Sequence, residues 1–509
     1  MSFITRNIVV IFVALLTASL GWVFGGIRGS LLPNFVPWLW AFLFEAMICF
    51  PQRHAEETPH MARERAWEDM RQDPLVWIGC GFLILMAIPF VNTGLCPVCD
   101  YPQIVAGASP KPPVPYLPFC VNRSEHFHVF LWFLAAITAM IAVKHCLVKS
   151  GKRLLIEILV WNGVALGALG LVQQGFGAPG PLWQPLRQAS NLDFFSTFGY
   201  ANMAGSYFSS LFILALGLWR RRLDETRAED RVHTTNDDTK EIAERDRFWH
   251  RHYLMIPAAI LYIAALNTYS RAAILISSLA AILIFAHTAV MTLARMERAR
   301  RVKTSALFVL LIIAIAVLAT VFTPKRIRSE INSLGATEVI NRVGGRSEYH
   351  SQLAVDLLWE NPLFGCGGWG YKHFSAPRVP ETVSKWWKYS WSVGGANVHN
   401  DYLQFLCEHG IVGFACLASM FLLLLTPVAK LWKALARSVR FSHIPGLPRP
   451  RGFFIFPAAA FAILLAIATT LIHAFGDCPL RSPAILTLLF IELAALDGFL
   501  PKMITKERN

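Results

Sequence analysis

Runs of about 20 mostly apolar residues recur along nearly the whole chain of 509 residues. This length is what an α-helix needs to cross the hydrocarbon core of a bilayer. Only 16% of the residues are charged, whereas soluble domains carry about 25%. The apolar runs are also longer than the short alternating segments of a membrane β-barrel. The sequence therefore predicts an all-α polytopic membrane protein.

Twelve runs qualify as candidate membrane spans. Their approximate limits are 7–26, 31–50, 74–92, 126–148, 154–172, 200–219, 253–270, 272–294, 304–323, 402–428, 452–474 and 482–499. They predict three regions: nine spans with short loops over 1–323, a polar loop domain over 324–401, and three spans with a tail over 402–509.

Lysine and arginine are concentrated in one alternate set of loops. If both termini are cytoplasmic, 32 of the 47 Lys and Arg residues lie inside, as the positive-inside rule requires. The same bias explains the net charge of +14. No basic soluble domain is recognisable, so we expect no nucleic-acid partner. In this orientation the long loop 324–401 lies outside.

The ten cysteines fall into two sets of five. One set lies in predicted spans, where cysteine packs as a small hydrophobe: Cys49, Cys80, Cys146, Cys407 and Cys416. The other lies outside, where disulfides can persist: Cys96, Cys99, Cys120, Cys366 and Cys478. The Cys96–Cys99 pair lacks the second pair that a zinc site needs. A disulfide from Cys96 or Cys99 to Cys120 is therefore the expectation.

The outer loop is far longer than an ordinary connection and rich in aromatic residues, which predicts an ordered, functional segment. Ser347 to Glu360 has the apolar spacing of an amphipathic helix. Pro362 ends that helix, and the glycines of 361–371 allow tight turns or close approach to a substrate. Tryptophans and lysines between about 380 and 398 suit the bilayer interface or stacking against sugars.

Three ionisable residues stand at the predicted outer surface. His399 precedes the tenth span and can accept a proton near neutral pH. Arg346 precedes the amphipathic helix, whose first N–H groups attract anions, and Arg271 follows an apolar run. Each also has a purely structural interpretation: an interface histidine, an ion pair with Glu348, and a snorkelling anchor.

Several motifs together resemble the bacterial O-antigen ligase family, which includes O-antigen polymerases and protein O-oligosaccharyltransferases. They cover roughly residues 150–500. The chain departs from the family at Tyr200-Ala201, where Asn-Pro is more usual before Asn202. The motifs are Arg346 to Tyr371, His399-Asn400-Asp401-Tyr402-Leu403-Gln404, Glu408-His409-Gly410-Ile411-Val412-Gly413, Ser196 to Ala204, Tyr269-Ser270-Arg271-Ala272 and Asp477 to Pro483.

The resemblance implies a helical bundle of the GT-C type in the bacterial inner membrane, with its active site on the periplasmic face. The implied donor is a glycan on undecaprenyl diphosphate, and the expected acceptor is lipid A–core in lipopolysaccharide biosynthesis. His399 is the implied catalytic base, and Arg271 and Arg346 are the implied diphosphate-binding residues. No metal or cofactor is implied. Supporting residues are Asn202, Asn400, Asp401 and Glu408.

The implied chemistry suits these residue types. Negative charge grows on the diphosphate as the anomeric bond breaks, and arginine binds phosphate oxygens in a bidentate fork. A neutral His399 would accept the proton of the attacking hydroxyl, and direct displacement would invert the anomeric centre.

Other acceptors and other classes of function remain open at this stage. A polymerase would extend a carrier-linked chain, and a protein oligosaccharyltransferase would use a protein hydroxyl. A polysaccharide transporter or flippase would use ionisable residues within spans, such as Glu45, Glu157 and Glu492. A protein with a purely structural role would not need His399, Arg271 and Arg346 together.

Arg346→Lys is expected not to support transfer, because lysine keeps the charge but loses the bidentate geometry. The measurement is glycan transfer by the purified variant, and near-normal transfer would contradict the role given to Arg346.

Overall fold

The computed structural model describes residues 3–23, 25, 31–93, 112–184, 194–232, 250–293, 298–322, 350–375, 397–441 and 457–500. Among these residues the chain is helical, and its β-structure is limited to two isolated bridges. The predicted all-α class is therefore confirmed for this part of the chain.

The described α-helices of six or more residues are numbered here in chain order. The first eight are α1 (Ile8–Trp22), α2 (Leu32–Cys49), α3 (Pro59–Gln72), α4 (Pro74–Ala87), α5 (Arg123–Ile141), α6 (Lys149–Gly175), α7 (Ala201–Val232) and α8 (Met255–Leu266). The next four are α9 (Arg271–Leu293), α10 (Arg298–Phe322), α11 (350–360) and α12 (Gly370–Ser375). The last three are α13 (Asp401–Phe441), α14 (Ala458–Gly476) and α15 (Pro483–Ala495).

Seven of the described helices are long and apolar enough to cross a membrane: α2, α5 with its π-helical extension, α6, α7, α9, α13 and α14. The helices α3 and α4 give an eighth span if this pair, bent by 67°, crosses as one. The structure thus supports a multi-pass membrane protein, but it does not confirm a count of twelve spans.

Local breaks make some helices shorter than the apolar runs that predicted them. The predicted span 253–270 contains α8, which has 12 residues and is about 18 Å long. This helix ends at Leu266 because Asn267 leaves the helical conformation and Tyr269 has a positive φ. Hydropathy does not register such a break, so it overestimates the length of this helix.

The chain divides into two compact units. One comprises Met1–Cys146, Glu330–Leu424 and Ile472–Ile491, and the other comprises Leu147–Ser329, Leu425–Leu471 and Glu492–Asn509. We refer to them as the first and the second unit.

In the second unit, α7 packs against α6, α8 and α9, and its apolar part is almost entirely buried. The basic start of α6 holds the chain that follows α15. Lys152 Nζ lies 2.7 and 2.8 Å from the two carboxylate oxygens of Asp497. Lys149 Nζ donates to the Leu500 carbonyl at 2.9 Å. Because Lys152 is buried, its ammonium needs this partner.

In the first unit, α13 breaks at Gly410, whose φ is +66°. The break frees the carbonyls of Cys407 and Glu408 and the N–H groups of Ile411 and Val412, which would otherwise pair along the helix. Buried backbone groups must find other partners.

The glycine-rich segment that follows α11 supplies those partners. The N–H groups of Cys366 and Gly367 donate to the Cys407 and Glu408 carbonyls at 3.0 and 2.8 Å. The Pro362 and Leu363 carbonyls accept from Ile411 and Val412 at 2.9 and 3.1 Å. We call this pairing of 362–367 with 407–412 the backbone clamp.

The amphipathic character predicted for Ser347 to Glu360 is confirmed over the described helix α11. Leu353, Ala354 and Leu357 are buried in one apolar cluster with Tyr371 and Val398. This cluster fixes the last residues of the outer loop beside the start of α13.

The predicted disulfide partners Cys96 and Cys99 lie outside the described residues. The Cys120 thiol is buried and lies 3.4 Å from the Pro89 carbonyl oxygen.

Gly365→Ala is expected to lower the free energy of unfolding by about 1–3 kcal/mol. Gly365 has a φ of +69°, and an added Cβ would lie 2.5 Å from the Glu408 carbonyl oxygen. The matched control is Gly81→Ala in α4, where an added Cβ meets nothing within 4 Å. Denaturation in detergent micelles measures both, and equal stability of the two variants would contradict the clamp.

Candidate active site

His399 occupies a strained backbone position immediately before α13. Its φ is +57°, which is uncommon for residues other than glycine. The next residue, Asn400, caps α13, because its Oδ1 accepts from the Leu403 N–H at 3.1 Å. The Gln404 side chain also reaches back, and its Oε1 accepts from the Val398 N–H at 3.0 Å. These two caps fix the His399 backbone on both sides.

The partner of His399 is Asp477, the first residue after α14. His399 Nδ1 lies 3.1 Å from Asp477 Oδ1. An ionised carboxylate can only accept hydrogen bonds, so Nδ1 carries a proton, and in the neutral ring Nε2 then keeps its lone pair. The His399 side chain is 30% exposed whereas that of Asp477 is 8% exposed. The histidine is therefore both oriented and accessible.

The environment of Asp477 keeps its carboxylate charged. Burial alone would raise the pKa of Asp477, but the hydrogen bond and charge attraction of His399 outweigh this effect. The charge of His473 and the Cys478 N–H act in the same direction, and together they lower the pKa of Asp477 to about 2.

A buried ion pair positions the turn that carries Asp477. Arg481 donates to Glu408 Oε1 at 2.6 Å, and Glu408 is fully buried. Burial would lower the pKa of Arg481, but the Glu408 and Asp401 carboxylates raise it. The guanidinium also lies over the Trp369 ring, 4.5 Å from the ring centroid.

Asp401 makes a second connection between α13 and this turn. Its Oδ2 accepts from the Leu480 N–H at 2.7 Å, and the side chain is buried. Three of the supporting residues suggested by the sequence thus hold the site together, each by a different contact: Asn400, Asp401 and Glu408.

A second histidine, His350 of α11, lies beside His399. Their ring centroids are 6.0 Å apart in an edge-to-face arrangement. His350 Nδ1 lies 2.9 Å from Tyr371 Oη, and both side chains are buried. These two residues form one wall of the site around His399.

Three potential metal ligands meet at this point: His399, Asp477 and Cys478, whose ligand atoms lie within 4.8 Å of one another. A metal-binding cysteine is a thiolate. Here burial and the Asp477 and Asp401 carboxylates raise the pKa of the Cys478 thiol well above its usual range. Its Sγ instead donates to Asp477 Oδ1 at 3.3 Å. Asp477 thus receives hydrogen bonds from both of the other groups.

Arg271 and Asn202 belong to the second unit. Arg271 is the exposed first residue of α9, where a cation is unfavourable for the helix dipole. Ser270 caps this helix, since its Oγ accepts from the Ala273 N–H at 3.2 Å. Asn202 Nδ2 donates to Tyr200 Oη at 3.2 Å. Arg346 lies outside the described residues.

Left-handed backbone conformations recur in the motifs that carry the family resemblance. Among the described residues, six non-glycine residues have a positive φ. Four of these six lie within the motifs: Ser196, Tyr269, Trp369 and His399. Such strain persists only where the surrounding structure enforces it, and it is common at functional sites.

Residues 256–418 match the protein family described as O-antigen ligase. Over these residues the chain is similar to that family. The match confirms the resemblance inferred from the motifs, and it includes Arg271, Arg346 and His399. No curated protein matches the chain.

The matched region ends before Asp477, so the partner of His399 lies outside it. The sequence indicated the turn from Asp477 to Pro483 but assigned no role to Asp477 or Arg481. His350 and Tyr371 lie within the motif Arg346 to Tyr371, but the sequence assigned no role to either. Asp477, the acidic residue at the start of that turn, was the only feature of the sequence that could have pointed to the pairing of His399 with Asp477.

Asp477 is expected to stabilise the fold in a pH-dependent way. Folding lowers its pKa from 3.8 to about 2, so the folded state binds fewer protons than the unfolded chain between these values. The contribution, roughly 2 kcal/mol, is present above the unfolded pKa and is lost as the pH falls towards the folded pKa.

The measurement compares the unfolding free energies of the wild type and Asp477→Asn from about pH 6 down to about pH 3. The difference in unfolding free energy should be constant at about pH 6 and should become smaller towards about pH 3. Exposed Asp356→Asn on α11 is the control, and a difference that persists unchanged to the lowest pH would contradict the assignment.

Proposed function

We propose that this protein transfers a glycan from undecaprenyl diphosphate to an acceptor hydroxyl, with lipid A–core as the acceptor. The observation that carries the proposal is the hydrogen bond between His399 and Asp477 at the start of α13. The family match supports membrane glycan transfer in general. The particular donor, the acceptor, the GT-C class and the periplasmic location in the inner membrane are parts of the proposal.

His399 is the proposed general base. The Asp477 carboxylate holds the proton on Nδ1, which leaves Nε2 to accept the proton of the attacking hydroxyl. As that proton arrives, the imidazole becomes positive, and the nearby carboxylate stabilises this charge. The same arrangement fixes the ring orientation, which sets the direction from which the hydroxyl attacks.

Arg271 and Arg346 are the proposed ligands of the donor diphosphate. Charge develops on the leaving diphosphate as the anomeric bond breaks, and a preorganised guanidinium stabilises that charge most. Arg271 stands at the N-terminus of α9, where the free N–H groups add to the attraction for an anion. The role of Arg346 is supported by its position at the start of the motif Arg346 to Tyr371.

Asp477→Asn is expected to reduce transfer by roughly 10²-fold or more, because an amide no longer holds the proton on Nδ1 or stabilises the imidazolium. The assay uses purified protein, an undecaprenyl-diphosphate glycan as donor, and lipid A–core. Asp356→Asn, which alters an exposed carboxylate on α11, is the matched control and should keep wild-type activity.

A second carrier-linked glycan is offered in the same assay as a competing acceptor. Product on lipid A–core that depends on Asp477 supports the ligase proposal. Lengthened carrier-linked chains would instead make the protein a polymerase with the same chemistry. Full activity of Asp477→Asn on either acceptor would contradict the proposed base.

A further inference from the structure

Two cysteines lie on opposite sides of the backbone clamp. Cys366 belongs to the glycine-rich segment, and Cys407 belongs to α13 just before its break. The Cys366 N–H donates directly to the Cys407 carbonyl at 3.0 Å, so the two residues face each other. The neighbouring hydrogen bonds of the clamp restrict any sliding of one segment past the other.

The side chains of these cysteines also meet. Both are fully buried in the same apolar cluster, and the two thiols lie close enough to interact. Space for the Cys366 sulfur depends on Gly370, because an added Cβ there would lie 2.6 Å from Sγ. The two sulfur atoms are therefore neighbours inside a packed core.

A disulfide needs Cα atoms about 4.4–6.8 Å apart and Cβ atoms that point towards each other. The direct backbone hydrogen bond keeps the two Cα atoms close, and the interaction between the thiols places the two side chains beside each other. We propose that Cys366 and Cys407 form a disulfide bond that ties the outer loop to α13.

The chemistry is thiol–disulfide exchange. The two thiols of the chain react with the disulfide of an external dithiol oxidant, which leaves one new S–S bond in this protein and two thiols in the oxidant. The step belongs to folding, before the clamp closes and buries both sulfur atoms. It rests on the outer placement of 324–401 in the proposed function, since an oxidising compartment lies on that side.

The bond would affect the site directly. It would close a loop that starts in the clamp and ends in α13, and His399 lies inside this loop. The closed loop also contains Tyr371 and Val398 of the apolar cluster. The disulfide would thus add a covalent bond to the clamp next to Glu408, whose carboxylate pairs with Arg481.

The test reads the oxidation state of each thiol in the full chain. Protein from membranes is denatured with an alkylating agent before any reductant is added, then digested and analysed by mass spectrometry. We expect the Cys366 and Cys407 peptides to be joined, to escape alkylation, and to separate and take the label after reduction. Cys80 and Cys416 are the controls and should be labelled at once.

Alkylation of both Cys366 and Cys407 before reduction would overturn the proposal. This result would be independent of the proposed function, because the thiol state is read by mass and not by transfer. If both thiols are reduced in a protein that transfers glycan, the disulfide proposal is wrong and the proposed function is unaffected. A joined pair in a protein without transfer activity would leave the disulfide standing.

A stability measurement distinguishes a disulfide bond from two thiols that are only close together. Reductant should lower the unfolding temperature of the wild type by a few degrees and should not change that of the Cys366→Ser, Cys407→Ser double variant. Cys416→Ser in the same helix should respond as the wild type does. An unfolding temperature of the wild type that is insensitive to reductant would count against the disulfide.

Discussion

The buried ion pair between Arg481 and Glu408 holds together the segments from which the candidate site is built. Glu408 lies on α13, Arg481 lies on the turn after α14, and Trp369 of the glycine-rich segment packs on the guanidinium. Charges removed from water are tolerated only when they are paired. Removing one partner of such a pair typically costs about 3–5 kcal/mol.

That ion pair explains the position of Asp477. The turn from Asp477 to Arg481 is fixed at one end by the ion pair and in the middle by the Asp401–Leu480 hydrogen bond. With the turn fixed, the Asp477 carboxylate has one location, and it lies against His399. The stability of the first unit and the orientation of the proposed base therefore depend on the same few contacts.

The sequence predicts the local features of this site better than its long-range pairing. His399 and the apolar face of α11 follow from short patterns. The contact between His399 and Asp477 spans 78 positions in the chain, and no local periodicity encodes it. Hydropathy likewise predicts apolar runs but does not register the breaks at Asn267 and Gly410, which shorten one helix and create the clamp.

These contacts explain how the fold tolerates residues with a strained backbone. A left-handed non-glycine residue costs of order 1–3 kcal/mol, and His399 is one of them. The caps from Asn400 and Gln404 enforce its conformation, so the strain is offset by the start of α13. The proposed base is thus held in place by the fold before a substrate arrives, an arrangement that reduces the reorganisation needed during a reaction.

The most direct test of the account is the rate of glycan transfer by His399→Ala, measured with and without added imidazole. The account predicts a loss of roughly 10²–10⁴-fold and a partial return of activity when imidazole enters the space left beside Asp477. Transfer by His399→Ala at the wild-type rate without imidazole would contradict the claim that His399 is the base.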